Sequence, residues 1–289
     1  MRWRDGRRSS NIEDGGSSGG IGLGGGKLGL GGIAAVVVIS LLLGKNPIEM
    51  LGLVNSVVGG GGPVVTQSVA PSAENNANRD FVAAILGETE YVWTMLFQQV
   101  NAQYEQPKLV LFSGSVQSAC GGATSASGPF YCPADRKAYL DTAFFAEMRA
   151  RLGGGGDFAE AYVIAHEIGH HVQTLIGVSA KVNEARRAGQ DVKGDGGLLV
   201  RQELQADCFA GLWAHHAQQR HHWLEPGDIE EALNTASAIG DDHLQRQSQG
   251  TVVPDSFSHG TSEQRVRWFK VGFERGDVSG CDTFSARQL

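Results

Sequence analysis

Hydrophobic residues in the middle of the chain recur every three or four positions, which predicts a half-buried helix. The residues on this apolar side are Phe158, Ala161, Ala165, Ile168, Val172 and Leu175. Asp157 followed by Glu160 three residues later predicts a capping box at the start of the helix. Gly177 predicts its end.

Similar patterns predict the rest of a mostly helical α+β domain with a small antiparallel sheet. Alternation of apolar and polar residues around a glycine-rich loop predicts short strands at 108–112 and within 129–140. Periodic apolar positions predict further helices at 80–100, 141–152, 228–248 and 261–274, and one around Glu203.

The N-terminal quarter of the chain has a different pattern. Residues 1–26 are basic and rich in Ser and Gly, which predicts a disordered tail. An apolar run between Lys27 and Lys45 predicts one transmembrane helix over residues 27–44, although its 28–43 core spans only about 24 Å of a hydrocarbon layer about 30 Å thick. Residues 45–78 are predicted to be a flexible linker and residues 79–289 the catalytic domain.

Charge near the apolar run predicts its orientation in a membrane. Residues 1–45 contain six Lys or Arg residues and three Asp or Glu residues, and the four arginines precede the apolar run. This bias predicts a cytoplasmic N-terminus in an inner bacterial membrane and a catalytic domain outside the cytoplasm. A cleaved signal peptide is the alternative. The region before the apolar run is long and contains acidic residues, and no clear small-x-small cleavage site follows the run. Both observations favour an uncleaved anchor.

Composition narrows the choice of partners. The net charge of the chain is −7, and the part after the anchor carries the acidic excess. No basic stripe is present, so we expect no nucleic-acid partner.

The strongest chemical signal is the segment His166-Glu167-Ile168-Gly169-His170, which lies in the helix predicted between Asp157 and Gly177. Two histidines four residues apart lie on one face of a helix, separated by about 6 Å along its axis. Both imidazoles can therefore bind one Zn²⁺ ion, and Glu167 is placed to accept a proton from a metal-activated water. The alternative is a helix with two purely structural histidines.

A catalytic zinc site with two histidines needs a third protein ligand. Glu203 and Asp207 lie one turn apart on the helix predicted around Glu203, which makes Glu203 the expected ligand. Asp207 is expected to accept a hydrogen bond from a ligand imidazole and fix its orientation. The alternatives are a solvated acidic pair, or Glu184 as the third ligand.

These motifs resemble the gluzincin metallopeptidases, and more closely the bacterial putative neutral zinc metallopeptidase family. The resemblance rests on segments 162–173, 203–211 and 257–265. It implies a zincin-like domain after one N-terminal membrane span. It also implies one zinc ion per chain at His166, His170 and Glu203, with Glu167 as general base. In such peptidases an edge strand over the cleft pairs with the substrate backbone; here Tyr131 or residues 137–140 would supply that strand.

Other histidines are weaker candidates for chemistry. His259 precedes a helix opened by Thr261 and Gln264, and related gluzincins place a histidine near the oxyanion in a similar loop. A loop histidine without a catalytic part is the alternative. Arg265 is a weaker candidate for the same region, and a surface or ion-pair residue is its more common interpretation. The cluster of His215, His216, His221 and His222 is expected to be solvated helix surface and not a second metal site.

Four cysteines fit an extracytoplasmic domain. Cys120 and Cys132 flank a glycine-rich loop that one disulfide would close, which leaves Cys208 to pair with Cys281. The alternative is four free or buried thiols.

Together these features predict a membrane-anchored zinc hydrolase that cleaves peptide bonds in a peptide or protein substrate. Two alternatives remain open. One is a membrane-tethered binding or chaperone-like protein with a structural or vestigial metal site. The other is a zinc amidase that acts on cell-wall peptides.

Overall fold

The computed structural model describes residues 1–15, 73–151 and 156–289, and within these ranges the fold is mostly helical with a small sheet. The helices are α1 Ala73–Gln99, α2 Phe144–Arg151, α3 Asp157–Leu175, α4 Val178–Arg187, α5 Leu198–His221, α6 Asp228–Ala238, α7 Asp241–Gln249 and α8 Ser262–Arg275. The strands are β1 Ile12–Asp14, β2 Lys108–Phe112, β3 Ser115–Ser118, β4 Gly121–Thr124, β5 Phe130–Cys132 and β6 Lys137–Asp141. The mostly helical α+β class is therefore confirmed.

The sheet differs from the antiparallel sheet that we predicted. Its strand order is β1-β2-β6-β5, and only β5 runs antiparallel to its neighbour. Strands β3 and β4 form a separate antiparallel hairpin. The prediction failed because β1 comes from residues that we expected to be disordered, and because β2 and β6 are joined by the long β3–β5 connection, which allows a parallel pairing.

Helices α3, α5 and α8 form the centre of the domain. Glycines let their backbones approach closely, because a Cβ atom added at Gly169 of α3 would lie 3.1 Å from the Ala206 backbone. Similarly, a Cβ atom at Gly272 of α8 would lie 1.9 Å from the Cys208 carbonyl oxygen of α5. These close crossings fix the positions of the side chains between the helices.

The beginning of α3 differs slightly from its prediction. Gly156 is the N-cap and its neighbour Asp157 is the first helical residue, so the expected capping box is absent. The capping box of Thr261 and Gln264 at the start of α8 is present as predicted. The structure thus confirms the two helices and corrects one of the two caps.

The predicted helix over residues 228–248 is two helices, α6 and α7, separated at Gly240. A Cβ atom at Gly240 would lie 2.4 Å from the Ser262 backbone nitrogen, so the chain passes too close to α8 for a larger residue. The break places Asp241 at the first position of α7, beside the loop that contains His259.

Residues 1–15 are folded onto the domain, which differs from the disordered tail predicted for residues 1–26. Strand β1 pairs in parallel with β2, with Ile12 opposite Leu109 and Asp14 opposite Leu111. Trp3 is 7% exposed and its indole N–H donates to Asp157 at 2.8 Å. The sequence signal was lost because this short segment gains its structure only from the domain against which it packs.

No helix in the described ranges is long and apolar enough to cross a membrane. The predicted anchor over residues 27–44 lies outside the described residues, as do residues 16–26 of the predicted tail and residues 45–72 of the predicted linker.

Replacing Trp3 by alanine should lower the free energy of unfolding by about 3–5 kcal/mol, because it removes a buried aromatic side chain and its hydrogen bond. Urea unfolding of the full chain measures this change. The Asp5→Ala change, at an exposed position in the same segment, is the control and should alter stability by less than about 0.5 kcal/mol. Equal stabilities of the two variants would contradict the packing of Trp3.

Candidate metal centre

Helices α3 and α5 bring three metal-binding side chains together. His166 and His170 lie one turn apart on α3 and face Glu203 of α5. The His166 Nε2 atom lies 3.2 Å from Glu203 Oε2, and the His170 Nε2 atom lies 3.5 Å from Glu203 Oε1. Within the described residues, this is the one group of three whose ligand atoms all lie within 4.8 Å of one another.

The outer nitrogen of each imidazole has an oxygen partner. His166 Nδ1 lies 2.8 Å from Asp207 Oδ1, and His170 Nδ1 lies 2.9 Å from Gln173 Oε1. Both oxygens are acceptors, so each Nδ1 donates its proton outward, and each Nε2 is the atom left to bind a metal. Two imidazole nitrogens and a carboxylate that converge in this way fit a zinc ion.

Asp207 is the centre of a buried hydrogen-bond network and is fully buried itself. Besides the His166 contact, it accepts a hydrogen bond of 2.5 Å from the Tyr162 hydroxyl group. The Arg265 guanidinium binds both oxygens, with Nε and one terminal nitrogen each at 2.9 Å. Although burial alone would raise the pKa of Asp207, Arg265 and His166 lower it to about 2. Asp207 is therefore ionised throughout the neutral pH range.

For Arg265, the structure supports the ion-pair interpretation. It is 3% exposed and lies behind Asp207, where Asp207 holds the Arg265 pKa well above its usual range despite burial. Its guanidinium supports the His166 side of the site through Asp207 and is occupied by that contact.

The charges of the three ligand side chains depend strongly on one another. Burial alone would raise the pKa of Glu203, but His170 and His166 hold it well below its usual range. Burial alone would lower the pKa of His166, but Asp207 and Glu203 raise it to about 10. Without a metal, the pocket thus stabilises protons on its imidazoles.

Glu167 lies between the two histidines in sequence and is half-buried. In the described ranges no group donates a hydrogen bond to its carboxylate, while its charge helps to raise the pKa of His170. A carboxylate beside the ligands that is not engaged elsewhere can accept a proton during a reaction.

His259 lies near Glu203, and its partner Asp241 was missed by the sequence reasoning. Asp241 Oδ2 accepts the backbone N–H groups of Ser258 and His259, each at 2.6 Å. Asp241 Oδ1 lies 3.2 Å from His259 Nδ1. This hydrogen bond raises the pKa of His259, and the nearby Glu203 raises it further. The signal for Asp241 was hidden because residues 228–248 read as one continuous helix.

The other candidate residues lie outside this group. Glu184 is exposed on α4 and does not join the cluster. His215 and His216 contact the backbone oxygens of Phe273 and Gly276, and His221 contacts Glu88. These histidines therefore have structural partners and form no second cluster in the described part of the chain.

Both predicted disulfides are present. Cys120 pairs with Cys132 and attaches the β3–β4 hairpin to β5. Cys208 pairs with Cys281 and attaches the segment after α8 to α5, one residue from Asp207. No free cysteine occurs among the described residues.

Comparison with known proteins agrees with the class of site that this geometry defines. The family model described as putative neutral zinc metallopeptidase matches residues 1–284. The chain therefore belongs to the putative neutral zinc metallopeptidase family, as the sequence motifs indicated.

Two relatives show how far the similarity extends. The chain is 47% identical over 293 residues to the uncharacterized protein YpfJ of Escherichia coli strain K12. This alignment covers 98% of this chain and 99% of YpfJ. The chain is also 45% identical over 218 residues to the uncharacterized protein Rv2575 of Mycobacterium tuberculosis strain H37Rv. This second alignment covers 72% of this chain and 71% of Rv2575. No solved structure matches the chain.

Zinc binding at pH 8 should release about one proton from His166, because an imidazole must lose its second proton to bind the ion and the pKa of His166 is raised to about 10 in the metal-free protein. Below that pKa, each further fall of one pH unit should weaken the apparent zinc affinity about tenfold per proton displaced. Calorimetric titration in buffers of different ionisation enthalpy measures the proton count. A binding enthalpy that is independent of the buffer would contradict this charge state.

Proposed function

We propose that the protein is a zinc-dependent peptidase that hydrolyses peptide bonds. The observation that carries the proposal is the convergence of His166, His170 and Glu203 beside Glu167, a carboxylate that no described side chain engages by a hydrogen bond. A purely structural metal site has no use for such a carboxylate, which argues against the binding-protein alternative.

The residues divide the chemistry of hydrolysis between them. A zinc ion held by His166, His170 and Glu203 would lower the pKa of a water molecule and polarise the scissile carbonyl group. Glu167 accepts the proton of the attacking water and then delivers it to the leaving amine nitrogen. Asp207 keeps the His166 ring in the orientation that presents Nε2.

His259 is proposed to stabilise the negative charge that develops on the carbonyl oxygen. Its Nδ1 atom is occupied by Asp241, so only Nε2 is left to donate toward the cleft. Donation from Nε2 requires the doubly protonated ring, and the raised pKa of His259 favours that form.

The sheet supports an extended peptide as the substrate. Strand β6 is covered on both edges, by β2 and β5, so residues 137–140 cannot pair with a substrate. Strand β5 is an edge strand, and Tyr131 attaches it to α3 through a 3.0 Å contact with His171 Nδ1. Its open edge offers backbone hydrogen bonds to a substrate strand laid along the cleft.

The compartment of the reaction is proposed from the cysteines. Two disulfides with no free thiol in the described residues favour an oxidising environment outside the cytoplasm. Attachment to a membrane through residues 27–44 stays a prediction from the sequence.

The Glu167→Gln variant should retain zinc at wild-type stoichiometry and lose about 10²–10⁴-fold in peptide cleavage, because it keeps the ligands and removes the proton acceptor. Metal analysis and cleavage of unfolded protein substrates by the full chain measure both properties. The exposed Glu184→Gln change is the matched control and should leave both unchanged.

Three outcomes of this experiment separate the functions. Cleavage by the wild type alone supports the peptidase. Hydrolysis of muropeptides without cleavage of unfolded proteins would favour the cell-wall amidase instead. Full cleavage by Glu167→Gln would contradict the assignment of the general base.

On the alkaline limb of the pH profile, the activity of the Asp241→Asn variant should fall at a lower pH than the activity of the wild type. Asparagine keeps an oxygen acceptor but removes the charge that raises the pKa of His259, so the ring loses its proton earlier as the pH rises. The pH profile of kcat measures this shift. An unchanged alkaline limb together with full activity of His259→Gln would contradict an oxyanion role.

A further inference from the structure

The N-terminal segment, residues 1–15, packs against the rest of its compact unit. Strand β1 ends at Asp14 and helix α1 begins at Ala73, and both belong to the same compact unit. Contacts join the segment to the domain along nearly its whole length, and three independent groups of contacts show that it is a built-in part of the fold.

The first group surrounds Trp3. Its ring packs edge-to-face on Phe81 of α1 at 5.2 Å between centroids, and its indole N–H binds Asp157 at the start of the metal-binding helix α3. The neighbouring Arg2 backbone N–H donates to the Trp223 carbonyl oxygen at 2.8 Å. Trp3 thus fills a space between elements that are more than 75 residues away in sequence.

The second group surrounds Glu90, a carboxylate that is only 1% exposed within α1. Among the described residues, its hydrogen-bond partners all come from the N-terminal segment: the Arg7 guanidinium, the Ser9 hydroxyl group at 2.6 Å and the Asn11 amide at 2.7 Å. A buried carboxylate without partners is strongly unfavourable. The position of Glu90 therefore requires the segment to be in place.

The third group is the backbone itself. The Leu109 N–H donates to the Asn11 carbonyl oxygen at 2.9 Å, and the Gly15 N–H donates to the Leu111 carbonyl oxygen at 2.7 Å. A Cβ atom at Gly87 would lie 2.4 Å from the Arg7 carbonyl oxygen, so α1 has a glycine where the segment crosses it.

Ion pairs join the described segments on either side of residues 16–72. Arg8 binds Asp80 through two hydrogen bonds of 2.7 and 2.8 Å, and Arg79 binds Asp14. Asp14 and the beginning of α1 therefore lie close together.

We propose that residues 1–15 and the peptidase domain occupy the same compartment. If a membrane separated these two parts, none of the contacts above could form. The proposal replaces the predicted arrangement of a cytoplasmic N-terminus and an extracytoplasmic catalytic domain, and it is independent of the proposed peptidase activity.

Labelling of single introduced cysteines tests this topology in the full chain within intact cells. Ser10→Cys lies in the N-terminal segment and Ser285→Cys near the C-terminus, and both positions are exposed. The four native cysteines form disulfides and give little background with a membrane-impermeant maleimide. The wild-type chain is the background control, and lysed cells show that each introduced thiol can react.

The expected result is that both introduced cysteines react in intact cells, or that neither does, whereas both react after lysis. Reaction of one position and protection of the other in intact cells would overturn the proposal. The intact mass of each labelled protein is measured in the same experiment. A mature chain that lacks residues 1–15 would overturn it as well, since the segment would then not be part of the working domain.

Discussion

The structure depends above all on the partners of one buried carboxylate, Asp207. Its ionised form joins three helices, because it receives hydrogen bonds from Tyr162 and His166 on α3 and from Arg265 on α8 while it is itself part of α5. A buried charge is tolerated only when it is fully partnered, so these helices must cross where they do. The same contacts orient the His166 ring, which means that the stability of the core and the geometry of the metal centre have one physical origin.

A second buried carboxylate, Glu90, has the same role for the N-terminal segment. Its partners Arg7, Ser9 and Asn11 come from the segment whose strand β1 covers one edge of the sheet. Strands β1 and β5 are the two edge strands of the sheet. Under the proposed function, β5 is the edge that would pair with an extended substrate.

Sequence reasoning predicted the metal-binding helix well because its signal is local. The spacing of His166 and His170 places them on one face of α3 through helix geometry alone, and the spacing of Glu203 and Asp207 does the same on α5. Sequence reasoning missed Asp241 because the chain approaches α8 closely at Gly240, and this approach interrupts what the sequence pattern predicts as one helix. Such an approach depends on residues distant in sequence, and periodicity carries no information about them.

The sequence by itself determined the elements whose cause is local: the helices with periodic apolar faces, the capping box before α8, the candidate zinc ligands and the family. Only the tertiary structure decided that Arg265 supports Asp207, that the sheet is mixed, and that residues 1–15 belong to the same folded domain. Each of these depends on contacts between residues that are far apart along the chain. Burial changes the free energy of a charge or an indole ring by several kcal/mol, whereas the same residue in a solvated segment has no preferred position.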